Sequence, residues 1–281
     1  MALPGGITAE MRRLTVGGRD GSTRELVLRT VVDVPDAEDW LRREAGALVM
    51  LAGTGVTAPE LVGVDAAGAE CEYPSLLMTC LPGRTVLADE GVEARVSLLA
   101  RQLVAIHGVR PVVRPPVFVR QSTAESVVVP EGADAGAWGT AIDVIRQGVP
   151  AYEGCFLHGD FHPGNVLFEG ARITGVVDWA GPSWGPVDLD AAHCSVNLAL
   201  LHGAEWGLRF AAAYEGAGGV LSSNWLYWLI RDALAMSEEL DAISQPWREA
   251  GRGELTARVV GERLDGYVSA LVGGRGLGRR R

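Results

Sequence analysis

The chain has 281 residues, with 35 acidic against 25 basic side chains and a formal net charge of −10 at pH 7. Every basic residue is arginine; no lysine occurs. That balance argues against general nucleic-acid binding, and no apolar run reaches the roughly 18 residues a membrane helix needs.

The opening residues, MALPGGITAEMRR, lack a basic stretch followed by an apolar core, so no secretory leader is expected and the cytoplasm is the expected compartment. MRRLTV and RELVLRTVV are rich in β-formers and flank the glycine-rich GGRDGST, which predicts a hairpin. PDAEDWLRREAGALVMLAG carries Trp40, Leu41, Ala45, Leu48 and Leu51 at helical spacing, with Asp36 as its expected cap and Gly53 as its stop. APELVGVD and SLLMTC predict two further strands, and LPGR, residues 81–84, has the chemistry of a linker.

Beyond the linker the pattern turns helical. VEARVSLLARQLVAIHG sets Val92, Val96, Leu99, Leu103 and Ile106 on one face, ahead of a proline-rich stretch over 111–116. A helix is expected over 134–148, short strands at CFLH and RITGVVDW, and helices over roughly 190–202, 204–216, 222–243 and 254–272. The expected fold is therefore α+β and bilobal: a small strand-rich N-terminal lobe (1–80), a hinge (81–84) and a larger, mainly helical C-terminal lobe (85–281). Cys71, Cys80, Cys155 and Cys194 fit neither a zinc pattern nor a disulfide framework and are expected as small buried hydrophobes.

The loop FLHGDFHPGNVL concentrates polar chemistry between apolar flanks. Asp160 and Asn165 lie within it, and Asp178 follows at the end of the apolar strand ITGVV. An amide and a carboxylate converging there suit Mg²⁺, which takes oxygen ligands and keeps waters and substrate phosphates in its shell. Asp160 can stay off the metal and accept a proton from a substrate hydroxyl. Asp, four residues, Asn, then a strand ending in Asp is the order of kinase catalytic loops.

HGDFHPGNVLF and GVVDW resemble the aminoglycoside phosphotransferase family, which is similar to choline, homoserine and methylthioribose kinases and has a protein-kinase-like fold. The Arg and the Phe-Gly of the protein-kinase signature are missing here. The resemblance implies Asp160 as catalytic base and Asn165 and Asp178 as Mg²⁺ ligands. It implies Arg29, in ELVLRT, as the phosphate-gripping cation where the family often has lysine, and Glu44 as the acid that orients it. LPGGITAEMRRLTV resembles the family's phosphate turn, with Gly5, Gly6 and Thr8 near phosphate. LLMTCLPG resembles its strand-to-hinge segment, with Met78 behind the adenine and the Thr79 carbonyl and Leu81 amide on its edge. Asp190, in preference to Asp188, would anchor the catalytic loop, with His107 a packed core residue and His158 a brace; His162 is either a second brace or part of the site.

The implied reaction moves the γ-phosphoryl group of ATP or GTP, with Mg²⁺, onto a hydroxyl of a small molecule: an aminoglycoside, choline, a sugar or an amino-acid alcohol. Glu215, Glu238, Glu239 and Asp241 would either attract an ammonium-bearing acceptor or form a solvated face, and NWLYWL would either line a pocket or pack the core. A nucleotide-binding relic without transferase activity is the competing reading. A protein kinase is a third, without the H-R-D and A-P-E signatures. Neither nucleic acid nor a membrane is expected as a partner.

Overall fold

A computed structural model describes residues 9–117 and 123–274. Gly5, Gly6 and Thr8 lie outside the described residues. The predicted hairpin forms: β1 (Glu10–Gly17) and β2 (Thr23–Thr30) pair antiparallel without a break, from Glu10 opposite Thr30 to Gly17 opposite Thr23. β1 is mostly exposed, whereas β2 buries Leu26, Val27 and Arg29. The difference follows from position, because β1 is an edge and β2 is covered on both sides by neighbours. With β3 (Leu61–Asp65) and β4 (Ser75–Thr79) the sheet runs in the order β1-β2-β4-β3, antiparallel throughout.

Between β2 and β3, α1 (Ala37–Leu51) turns Leu41, Glu44, Ala45, Leu48 and Leu51 inward and packs on β3 and β4. Its start departs from expectation. Asp36 holds a left-handed conformation (φ 59°) and its side chain caps nothing. Gly53, at φ 77°, lies just beyond the helix end as predicted.

The connection out of the sheet is stitched to the second half of the chain. Arg84 and Phe168 exchange both backbone hydrogen bonds, at 3.1 and 2.8 Å. The Thr174 hydroxyl donates to the Pro82 carbonyl at 2.6 Å. Gly83 sits at φ 95°, where an added Cβ would strike that hydroxyl and the Phe168 carbonyl, so only glycine fits.

Helices dominate the remainder: α2 (Val92–His107) and α3 (Ala135–Arg146), then α4 (Val187–His202), α5 (Ala204–Gly216), α6 (Trp225–Met236), α7 (Leu240–Glu249) and α8 (Ala257–Val272). The five apolar residues predicted to share a face of α2 are all buried. α4 packs against α2, α5, α6 and α8 and is buried over most of its length. The single helix expected over 222–243 is two. Ser237 turns its hydroxyl onto the Leu234 carbonyl at 2.7 Å, a local bond that competes with helix continuation, and α7 begins afresh at Leu240.

Two ribbons lie among these helices. β5 (Cys155–Leu157) pairs with β8 (Ser183–Gly185), and β6 (Val166–Glu169) pairs with β7 (Arg172–Val176). β6 and β8 were not anticipated. The cysteines also differ from expectation. Cys194 is buried, Cys80 and Cys155 are half-buried, but Cys71 is exposed. The Asp65 carboxylate accepts the backbone N–H groups of Ala69, Glu70 and Cys71, and the resulting turn holds Cys71 outward. Among the described residues no helix is long and apolar enough to cross a membrane.

Candidate active site

β5 delivers the chain into the loop His158–Asn165. Gly159 adopts φ 85° and passes so close to the Gly181 carbonyl that a Cβ would overlap it. The backbone is held there by one side chain. Asp190, in the first turn of α4, accepts from the N–H groups of His158 (2.7 Å) and Gly159 (2.9 Å). On its other side lies His107 Nε2 at 3.4 Å, whose Nδ1 meets the Tyr214 hydroxyl at 2.6 Å. Burial opposes ionisation of Asp190, yet the His107 and His158 interactions outweigh it and hold the acid below its usual range. Asp188, the alternative anchor, instead accepts from the Ser222 N–H at 3.0 Å.

Both loop histidines brace the backbone. His158 is fully buried; its Nδ1 accepts from the Asp160 N–H at 3.2 Å, so Nε2 carries the proton and donates to the Val177 carbonyl at 3.1 Å. His162 accepts from the Gly164 N–H through Nδ1 at 3.1 Å and caps a short 3₁₀ turn, Pro163–Asn165. That turn brings Asn165 back beneath Asp160. The Asn165 amide nitrogen donates to the Asp160 carbonyl (2.9 Å) and to its Oδ2 (3.0 Å). Asn165 is buried, whereas the Asp160 side chain is 45% exposed and open to a reactant.

The Asn165 carbonyl accepts from the Val177 N–H at 2.9 Å, fixing the end of β7 against the loop. The next residue, Asp178, turns in a left-handed conformation (φ 62°), strain of the kind found at functional sites. Its Oδ1 accepts from Arg29 at 2.7 Å, a bond between residues 149 apart in sequence. Arg29 reaches Glu44 of α1 through the same nitrogen at 3.1 Å. Burial pushes Glu44 up to about 7, against the pull of Arg29. Arg29 Nε and Glu44 Oε2 are buried without a partner among the described residues.

Of the other predicted residues, Met78 is buried on β4 opposite Val27. Thr79 donates its N–H to the Glu60 carbonyl and accepts the Glu60 N–H on its hydroxyl, so its side chain ties the end of β4 to the start of β3. The Leu81 side chain fills the space left by the missing Cβ of Gly175. Glu215 of α5, Glu238 and Glu239 between α6 and α7, and Asp241 of α7 are all exposed. Trp225 and Trp228 are buried, and Trp228 also lines a small cavity against Gly159.

Two residues near Asp160 escaped the sequence reading. His193 of α4 places Nε2 3.0 Å from Asp160 Oδ1, and Asp232 of α6 lies 3.3 Å from His193 Nδ1. Burial opposes the imidazolium, but the Asp232 and Asp160 carboxylates push it up to about 10. Burial lowers His162 to about 4, against the attraction of Asp160. Asp160 itself is held below the usual carboxylate range; burial opposes this, and the His162 and His193 rings outweigh it. A signal for one of the two was present, since Arg231-Asp232 interrupts the otherwise apolar WLYWLI–ALAM of α6.

These oxygens fit a magnesium ion. Asn165 uses its N–H group on Asp160, leaving its amide oxygen, and Asp178 meets Arg29 through Oδ1, leaving Oδ2. One amide and one carboxylate oxygen suit an ion that completes its shell with water and phosphate. Among the described residues no cluster of three or more His, Cys, Asp or Glu could hold a metal by itself.

Residues 2–226 match the model of the phosphotransferase enzyme family. A Ralstonia eutropha JMP134 protein, provisionally described as an aminoglycoside phosphotransferase, is similar over 96% of this chain and 91% of its own, with 18% identity and a TM-score of 0.63. A thermostable variant of the aminoglycoside phosphotransferase APH(4)-Ia, in ternary complex with AMP-PNP and hygromycin B, covers 95% and 92% at 19% identity and TM-score 0.63. A type I macrolide 2′-phosphotransferase covers 93% and 89% at 16% identity and TM-score 0.57. No curated protein matches the sequence. At these identities the likeness establishes the fold, a kinase-like α+β arrangement of a strand-rich N-terminal sheet and a mostly helical C-terminal region.

Proposed function

The chain belongs to the phosphotransferase enzyme family, and from that premise we propose that it transfers the γ-phosphoryl group of ATP or GTP to a hydroxyl of a small cationic acceptor. Asp160 takes the proton from that hydroxyl on its exposed carboxylate. The freed oxygen forms its bond to the γ-phosphorus, the bond to the bridging oxygen breaks, and the nucleoside diphosphate leaves with the electron pair. Asn165 and Asp178 are the residues that would hold Mg²⁺, which when bound draws negative charge off the phosphate oxygens. Arg29, braced by Glu44, supplies a fixed positive charge from the sheet. His158 and Asp190 keep the loop from moving when the substrate arrives.

The observation that carries this reading is the Glu44–Arg29–Asp178 line, which brings a buried cation on the sheet to the carboxylate next to the catalytic loop. An acceptor with ammonium groups is favoured by the net charge of −10. It is favoured also by the hygromycin B bound in the APH(4)-Ia relative.

The test is a panel of aminoglycosides, macrolides, choline, sugars and hydroxylated amines incubated with ATP or GTP and Mg²⁺, scored by product mass. The expected result is phosphorylation of at least one amine-bearing acceptor by the wild type and none by Asp160→Asn. Nucleotide binding without transfer to any acceptor would leave the relic reading in its place.

A further inference from the structure

We propose that His193 and Asp232 form a clamp that positions the catalytic carboxylate of Asp160, a role that rests on the functional reading above. The geometry is a line of three side chains from three different segments. Asp232 of α6 meets His193 Nδ1 at 3.3 Å, and His193 Nε2 meets Asp160 Oδ1 at 3.0 Å. Asn165 holds the other oxygen, Oδ2, at 3.0 Å. With one nitrogen donor on each oxygen, the plane of the Asp160 carboxylate is fixed, while its 45% exposure leaves further lone pairs for a substrate hydroxyl.

The clamp is built rather than incidental. His193 and Asp232 are both largely buried, with side-chain exposures of 12% and 10%. Asp232 Oδ2 has no hydrogen-bond partner among the described residues, so the acid is held in the interior chiefly by its charge interaction with His193. A buried carboxylate with one lone oxygen is costly, and the ion pair with His193 is what offsets that cost. α4 carries both halves of the loop's support. Asp190 fixes the backbone at His158 and Gly159, and His193, almost one turn later, fixes the side chain of Asp160.

The groups facing His193 come from the loop, from α6 and from α4 itself. From the loop these are Asp160 and the His162 ring, 5.8 Å away and edge-on. From α6 they are Asp232 and Arg231, which lines the same small cavity. From α4 itself the Asn197 amide lies 3.3 Å from Nε2. Two carboxylates, one on each ring nitrogen, call for a doubly protonated ring, and they push His193 up to about 10 against its burial.

The experiment has two arms. In the first, phosphoryl transfer is measured for His193→Ala, His193→Gln and Asp232→Asn. His193→Ala should lose roughly 10–100-fold in kcat, the scale of a misplaced reacting group, with the nucleotide KM within about twofold of wild type. His193→Gln, whose amide N–H can still reach Asp160, should recover most of that loss. Unchanged kcat in His193→Ala, or a folded His193→Gln as slow as His193→Ala, overturns the clamp.

The second arm needs no activity: ¹⁵N NMR of the histidine rings, assigned by variants of the five histidines. The His193 ring should stay doubly protonated at pH 8 in the wild type and lose a proton well below that pH in Asp232→Asn. A ring already neutral at pH 8 in the wild type overturns the clamp. A wild type that transfers to no acceptor but keeps an Asp232-dependent imidazolium removes the functional reading and leaves the clamp standing.

Discussion

The catalytic loop and the pair formed by β2 and α1 are held very differently. At the loop, three successive backbone N–H groups, at His158, Gly159 and Asp160, each have an internal acceptor. Around the sheet cation, Arg29 reaches two acids through a single nitrogen, while its Nε and Glu44 Oε2 have no partner among the described residues. The loop is therefore fixed by bonds to successive backbone groups, and the cation by two bonds from one nitrogen.

The sharpest way to break this contrast is to remove the loop's anchor. Asp190→Ala leaves the His158 and Gly159 N–H groups without their acceptor and His107 without its acid. The expected cost is about 3–5 kcal/mol of stability, seen as a lower midpoint in urea unfolding. Gly159→Ala should be of similar size, because the Cβ would overlap the Gly181 carbonyl in a backbone conformation alanine avoids. If either variant unfolds like the wild type, the loop is not held as described.

Arg29→Met should be milder in stability and harsher in nucleotide use. It leaves Glu44 without its cation, but Glu44 already sits near 7 and can take up a proton instead of remaining charged. The expected stability loss is about 1–2 kcal/mol, with the nucleotide KM rising roughly tenfold or more. A larger stability loss than that of Asp190→Ala would invert the contrast.

Glu44 also sets a pH dependence. Its folded value of about 7 lies above the ordinary value of 4.5, so the folded state binds the proton more tightly than the unfolded chain. The stability this gives is complete below pH 4.5 and is lost as pH rises through 7. Thermal unfolding should therefore show a decline on the order of 2 kcal/mol from pH 5 to pH 8 attributable to this group. Glu44→Gln, which mimics the protonated acid, should flatten it. An identical slope in the variant would place the titration elsewhere.

The sequence made some of this visible and hid the rest for physical reasons. Asp160, Asn165 and Asp178 were legible because a polar loop followed by an apolar strand and an acid has few structural explanations. Arg29 stood out only through resemblance, since an arginine on a strand is ordinarily exposed. His193 was hidden because α4 is buried nearly all round, so no polar face marked it, and its partners lie 33 residues before and 39 after it. The split of α6 from α7 was hidden because Ser237 ends the helix with a hydroxyl bond that leaves the apolar spacing undisturbed.

The smallest predicted effect compares one residue type at two helix starts. Asp134 caps α3 from an extended conformation, its carboxylate accepting from the Gly136 and Ala137 N–H groups at 2.9 and 3.1 Å. Asp134→Ala should cost about 1 kcal/mol. Asp36 occupies the same position before α1 but in a left-handed conformation, where its side chain makes no capping bond. Asp36→Gly removes the steric cost of that conformation, about 1 kcal/mol, and gives up a smaller favourable interaction of the carboxylate with the helix terminus. The two substitutions should move the unfolding midpoint in opposite directions, down for Asp134→Ala and slightly up for Asp36→Gly. Equal losses would mean that Asp36 caps α1 in solution after all, and that the sheet region is as tightly specified as the helical one.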